Sequence, residues 1–201
     1  RPDFLFKAAL QHLVKAQLDA LVQHGAITRC DGKLQHPIGQ PLPLHLGQLG
    51  GADCAASGNA GQLDLVLALQ WVRDHAAEFG GDAGNVTVFG QSGGGAKIAT
   101  LMAMPAARGL FHRAWTMSGQ QVTAAGPRAA TQRARLFLQT LGIDADGADA
   151  IARLRALPAA ALLEATQVRD FSRIEDTSLY FGPVLDGQVL PRHPFWPDAP
   201  G

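Results

Sequence analysis

Apolar residues recur along this chain with two different periods. From Phe4 to about Gln23, Leu10, Leu13, Val14, Leu18, Leu21 and Val22 fall at helical spacing along a single stripe, which predicts one amphipathic helix. Lys7 and Lys15 are the only cations on its polar face, so packing against a core is expected rather than attachment to a membrane surface. From Gly25 to Gly61 the composition shifts to Gly, Pro, Gln and His, and Pro37, Pro41 and Pro43 break any regular element, which predicts a long loop. Helical spacing returns with Leu63, Val66, Leu69, Val72 and Ala76 and runs to Phe79, where Gly80-Gly81 ends the helix.

The period then changes. After a turn at Asp82-Ala83-Gly84, Val86-Thr87-Val88-Phe89 is short, β-branched and aromatic, as expected of a strand buried on both faces of a parallel sheet. Gly90-Gln91-Ser92-Gly93-Gly94-Gly95 follows at once, then a helix from Ala96 to Met104 stopped by Pro105, then a second strand, Ala114-Trp115-Thr116-Met117. Helix, strand, glycine turn, helix, strand is the alternation of an α/β protein whose mostly parallel sheet is flanked by helices. Beyond Pro127 the spacing predicts helices over Arg128 to Leu141, Ala148 to Leu157 and Ala159 to Thr166. The proline-rich tail from Tyr180 reads as loop with one extended piece near Pro183 to Leu190, and no internal repeat is visible.

Composition narrows the function. The 201 residues are 47% hydrophobic and 17% charged, an ordinary globular balance that rules out a disordered chain. Seventeen basic side chains oppose seventeen acidic ones, for a formal net charge of zero, and the basic residues are scattered, so no footprint for nucleic acid is present. No apolar run is long enough to span a membrane. The chain opens Arg1-Pro2-Asp3 without a Met and without the zones of a signal peptide, so Arg1 is not read as the native start and the compartment stays open. Cys30 and Cys54 read as two isolated apolar thiols, with a single bridge as the alternative, and neither they nor the histidines have metal-ligand spacing. Neither a metal nor a cofactor is expected.

The chemistry sits between the two predicted strands. Gly90-Gln91-Ser92-Gly93-Gly94 spells G-x-S-x-G, and it lies where that motif needs to lie, between a strand and a helix. A serine on so sharp a turn is lifted above the carboxyl end of the sheet, and flanking glycines are expected because a Cβ would collide as the chain doubles back. The helix that follows aims its free N–H groups at the same point, so the Gly93 N–H is placed to donate to an oxyanion. Two phosphate-binding readings fail. Gly90 to Gly95 has Walker A spacing, but Ala96 stands where Lys is required and Lys97 where the hydroxyl is, and the run does not spell G-x-G-x-x-G.

A longer pattern surrounds the pentapeptide. Gly58-Asn59-Ala60-Gly61-Gln62-Leu63-Asp64, Ala68-Leu69-Gln70-Trp71-Val72-Arg73-Asp74 and Phe79-Gly80-Gly81-Asp82-Ala83-Gly84-Asn85-Val86-Thr87-Val88-Phe89-Gly90-Gln91-Ser92 resemble the type-B carboxylesterase and lipase family, of α/β-hydrolase fold. The resemblance continues through Met104-Pro105, Gly109 to Ala114 and Ser118-Gly119, and again at Phe181-Gly182-Pro183-Val184-Leu185-Asp186-Gly187. It covers the chain from about Leu44 onward, dividing it into residues 1–43, an N-terminal helix and loop of unclear relationship, and residues 44–201, the nucleophile-bearing part of a partial α/β-hydrolase domain incomplete at both ends.

The resemblance implies a serine ester hydrolase acting on small uncharged esters through an acyl-enzyme. Ser92 would be the nucleophile, the Gly93 backbone N–H an oxyanion donor, and Gly90, Gln91 and Gly94 the turn around them. Gln91 stands where the family often has Glu, Ser118 resembles a hydroxyl near the catalytic acid, and Asp64 and Arg73 match structural positions. The family order of nucleophile, acid, histidine puts both partners well downstream. Judged by the Pro183 to Gly187 match, the chain stops before them, and no HGGG-type loop precedes Ser92. His36 aligns with a family histidine, but the strand that should lead into it is unrecognisable.

Within the chain, His112 reads as a turn residue, His193 as part of the proline-rich tail, and Glu175-Asp176 as a solvated pair. Asn85-Val86-Thr87 spells a glycosylation sequon but leads into a strand expected to be buried. The alternative to a hydrolase is a catalytically inactive truncated chain or binding-module relative. A sheet cut short would leave edges open to self-association.

Overall fold

A computed structural model of the chain describes residues 56–171 and 178–200. The expected helix from Phe4, the region 1–43, Cys30, Cys54, His36 and the Glu175-Asp176 pair lie outside the described residues. The described part falls into two units, one built on Ala60–Val122 with residues 194–200, the other on residues 56–59 and Thr123–His193.

In the first unit the periodic run Leu63 to Ala76 forms helix α1 (Ala60–His75), which tightens into a 3₁₀ turn at Ala76–Phe79. Gly80, at φ 75°, ends it in the left-handed region, as the Gly80-Gly81 pair predicts. On α1, the Arg73 guanidinium bonds to Asp74 at 2.7 Å and holds that carboxyl below its ordinary value. Both groups face water, so the pair is worth little, and its contribution fades as pH falls through the carboxylate range.

Strand β1 (Thr87–Gln91) runs parallel to β2 (Arg113–Met117), in the register Thr87↔Arg113, Phe89↔Trp115 and Gln91↔Met117. Helix α2 (Gly93–Met102) connects them and packs on both strands and on α1. It buries Ile98, Ala99, Thr100 and Leu101, and the Thr100 hydroxyl bonds back to the Ala96 carbonyl at 3.0 Å. The helix ends two residues earlier than expected because Met104, held extended before Pro105, cannot continue it.

One expectation is not met. Val86 to Phe89 reads as a strand covered on both sides, yet in this chain only the side carrying Val88 and Gly90 is partly buried, against α2. The opposite face bears Phe89 and Trp115, register partners that are 64% and 67% exposed, and every residue of β2 is exposed. Residue type predicts a strand, but it does not count the layers that cover it.

The second unit is helical. Pro127 starts α3 (Pro127–Thr140) at a position where its missing N–H costs nothing, and α4 (Ala150–Ala156) and α5 (Ala159–Ala165) follow. Phe137, Leu138, Ile143, Ala150, Leu154, Ala165 and Leu179 form its core. Arg133, on α3, bonds through Nε to the buried carboxylate of Asp170 at 2.6 Å. The extended piece expected near Pro183 to Leu190 reduces to a single parallel bridge between Val184 and Ala125.

A side-chain clamp joins two of the sequence motifs within this unit. Asn59, only 2% exposed, donates to the Val184 carbonyl at 2.8 Å and to Asp186 Oδ2 at 2.9 Å, and accepts from the Val184 N–H at 3.0 Å. The other Asp186 oxygen accepts from the backbone N–H groups of Gln188 and Leu190. Asn59→Ala strips buried partners from the Val184 peptide groups and is expected to destabilise this unit by about 2 kcal/mol, measured as a shift of its denaturation midpoint.

Candidate active site

The strand does not end where the glycines begin. Gly90 and Gln91 continue the β1 ladder opposite Thr116 and Met117, so the turn expected over the hexapeptide contracts onto Ser92 alone. Ser92 has φ 53° and ψ −120°, and α2 starts at the next residue. A side chain with positive φ is costly unless its surroundings hold it there, and here the Ser92 N–H donates to the Met117 carbonyl at 2.8 Å while the Ser92 carbonyl accepts from Ala96 at 3.1 Å. The Ser92 side chain makes no capping bond to α2 and is exposed at the carboxyl end of both strands.

The two flanking glycines do not play the same part. A Cβ on Gly90 would stand 2.6 Å from the Gly94 carbonyl carbon and 2.9 Å from the Gly95 nitrogen, whereas one on Gly94 would meet nothing within 4 Å. The expected collision therefore holds for Gly90 and not for Gly94, because the chain folds back over the strand side of the turn and leaves the first turn of the helix open. Two further glycines, Gly95 and Gly119, prove tightly packed here although the pentapeptide does not mark them.

Gly93, exposed at the first position of α2, has an N–H with no intrahelical acceptor, which suits it to a developing oxyanion. The Lys97 ammonium reaches back to within 3.7 Å of where a Gly93 Cβ would lie, and Gln91 beside Ser92 brings no charge. A partial positive potential thus surrounds the serine. Ser118, directly after β2, also has positive φ, at 48°, and is exposed.

The two histidines that follow Ser92 each hold a backbone N–H. His112 Nδ1 accepts from the Val86 N–H at 3.1 Å and the His112 backbone N–H donates to the Val86 carbonyl at 2.8 Å, pinning the start of β2 to the start of β1. At ~3.3 Å per residue, that end of β1 is about 20 Å from Ser92, out of reach of proton transfer. His193 Nδ1 accepts from the Ala124 N–H at 3.1 Å, in the second unit. Asn85, at the sequon, is exposed and accepts from the Arg113 guanidinium. Among the described residues no cluster of His, Cys, Asp and Glu fits a metal ion, and no helix is long and apolar enough to cross a membrane.

Comparison with known proteins follows the same outline. The family model described as "Carboxylesterase family" matches residues 45–196. Para-nitrobenzyl esterase of Bacillus subtilis (strain 168) is 45% identical over 141 residues, spanning 70% of this chain and 28% of that protein. Carboxylesterase 1C of Rattus norvegicus is 37% identical over 139 residues, spanning 68% of this chain and 24% of its own length. Among solved structures, the Geobacillus stearothermophilus carboxylesterase EST55 superposes with a TM-score of 0.63 at 40% identity, covering 76% of this chain and 30% of that one. The chain therefore spans less than a third of the length of these relatives. The strand, the one-residue turn at a serine, the helix and the second parallel strand lie within the residues that the family model matches, the likeness to EST55 gives them the α/β-hydrolase fold, and the chain belongs to the carboxylesterase family.

Proposed function

We propose that this chain carries the nucleophile of a carboxylic-ester hydrolase, and that Ser92 is that nucleophile. The observation that supports it is the backbone of Ser92, held at positive φ between the end of β1 and the start of α2 with its side chain exposed. In this reading Ser92 Oγ bonds to the carbonyl carbon of a small uncharged ester while its proton passes to a histidine base. The oxyanion accepts from the Gly93 N–H, the C–O bond to the alcohol breaks, and the alcohol leaves with the proton. Water then adds to the acyl-serine, releases the acid and restores Ser92.

In this reading the histidine and its orienting acid come from outside this chain; of the histidines that follow Ser92, His112 is distant and the His193 Nδ1 is taken by the Ala124 N–H. Residues 44–201 then form the nucleophile-bearing part, 1–43 are a separate region, and the Ser118 hydroxyl lies near the orienting acid. The chain alone then retains only the catalysis that binding and oxyanion stabilisation provide, roughly 10³ to 10⁴ over the uncatalysed rate. Hydrolysis of para-nitrophenyl acetate by the purified chain should be slow and should disappear in Ser92→Ala. Slow hydrolysis that survives in Ser92→Ala contradicts the assignment of the nucleophile. Fast turnover that vanishes in Ser92→Ala would put the base within these residues and overturn its placement outside them.

The bare sheet face supports a second expectation, that the chain self-associates. Phe89 and Trp115 lie side by side in register and exposed, on a sheet that has two strands among the described residues and so two open edges. Phe89→Lys/Trp115→Lys is expected to shift the purified chain toward monomer in sedimentation velocity at micromolar concentration. An unchanged distribution would place the association elsewhere.

A further inference from the structure

Three stretches of backbone meet behind Ser92 with no side chain between them. Gly119, buried, lies against the Ser92 carbonyl so closely that a Cβ on it would overlap the carbonyl oxygen and carbon and stand 3.1 Å from the Ala96 nitrogen. Gly95, also buried, faces the same point, where a Cβ would come within 2.8 Å of the Gly119 carbonyl oxygen and 3.1 Å of that of Gly90. The end of β1, the first turn of α2 and the chain leaving β2 thus touch backbone to backbone.

The segment leaving β2 is itself constrained. Met117 accepts the Ser92 N–H, Ser118 turns at φ 48°, and Gly119 is brought onto the other side of the Ser92 peptide. Both polar groups of the Ser92 backbone are fixed: its N–H by β2, and its carbonyl by Ala96 with Gly119 packed over it. Positive φ at a serine persists only when its surroundings over-determine it. On this geometry the constraint comes from the strap after β2 as much as from the glycines of the pentapeptide.

We propose that Met117-Ser118-Gly119 is a positioning strap for the nucleophile, and that Gly119 is a positioning residue: it touches no substrate and acts by holding the Ser92 backbone at the angle that presents Oγ beside the Gly93 N–H. This rests on Ser92 being the nucleophile. A Cβ at position 119 must push the Ser92 carbonyl away, and a displacement of about 1 Å at a reacting group costs on the order of 100-fold in rate. The loss falls on the bond-forming step and not on binding, because the surface that meets a reagent is unaltered.

The test is the reaction of Ser92 with a fluorophosphonate, in which the Oγ–P bond forms, the P–F bond breaks and fluoride leaves with the serine proton. Rates are measured on the full chain, per folded molecule, and separated into kinact and KI. Gly119→Ala is expected to lower kinact by about 100-fold with KI unchanged. Gly126→Ala, where φ is −68° and a Cβ would meet nothing within 4 Å, is expected to match wild type. A folded Gly119→Ala chain with wild-type kinact overturns the proposal.

If Gly119→Ala does not fold, Ser118→Gly and Ser118→Ala take its place. Both remove the Ser118 hydroxyl and only glycine also frees the backbone, so Ser118→Gly is expected to lower kinact further than Ser118→Ala does, with KI unchanged. A kinact in Ser118→Gly no lower than in Ser118→Ala would refute the strap. A wild-type chain that reacts equally well as Ser92→Ala would instead refute the nucleophile assignment, which keeps the two failures apart.

Discussion

Gly90→Ala is expected to cost about 3 kcal/mol of stability, the upper part of the usual overpacking range, and with it the reactivity of Ser92. The new methyl group would face the Gly94 carbonyl carbon at 2.6 Å, its oxygen at 2.8 Å and the Gly95 nitrogen at 2.9 Å. All three are main-chain atoms, so no side chain can swing aside, and the strand end and the helix start must separate. Trp71, Trp115 and Trp196 all belong to the unit that contains this turn, so tryptophan fluorescence during urea unfolding follows it directly. Gly94→Ala is the matched comparison for stability: it sits four residues away in the same motif, with open space where the methyl would go. A change of less than about 1 kcal/mol is expected there, and equal destabilisation by the two variants would mean that the close approach at Gly90 is absent in solution.

Arg133→Met is expected to destabilise the helical unit by about 3–5 kcal/mol, the cost of taking the guanidinium away from a buried carboxylate. The Asp170 side chain is 3% exposed and the Arg133 side chain 13% exposed, so water cannot replace the guanidinium at 2.6 Å from Asp170 Oδ2. Against a total stability of about 5–15 kcal/mol for a native domain, that loss brings this unit close to unfolding. The double variant Arg133→Met/Asp170→Leu removes both charges and should recover most of the loss. Arg135, on the same helix as Arg133, pairs with Asp146 as a contrast in solvent: both side chains are more than half exposed, and Arg135→Met should leave the unfolding transition almost in place. The transition of the helical unit, followed by far-UV circular dichroism in urea, distinguishes these cases.

What could be read from residue order is what is local. Leu63, Val66, Leu69 and Val72 announce α1, β-branched and aromatic residues announce β1, and Gly80 and Pro105 mark stops at or near the helix ends. The serine turn was legible because its motif lies between a strand and a helix. Its length was not, because Gly90 and Gln91 pair with a strand more than twenty residues later, and only that pairing keeps them in β1.

Contacts across long separations left no periodic trace. Asn59 meets Asp186 across 127 positions and Arg133 meets Asp170 across 37, and neither pair stands out among the polar residues around it. The exposure of Phe89 and Trp115 was likewise hidden, since a strand carries the same residue types whether one or both of its faces are covered. Gly119 is visible in the sequence as part of the Ser118-Gly119 match, but its contact with Ser92 is not, because that contact depends on β2 lying beside β1.

Whether Ser92 is the acyl-accepting nucleophile is decided by the site of covalent modification. The purified chain is incubated with a fluorophosphonate, digested, and its peptides sequenced by mass spectrometry alongside Ser92→Ala. One adduct is expected, on the peptide containing Gly90-Gln91-Ser92, formed slowly but ahead of every other serine and absent from Ser92→Ala. Modification spread evenly over exposed serines, or undiminished in Ser92→Ala, would contradict it.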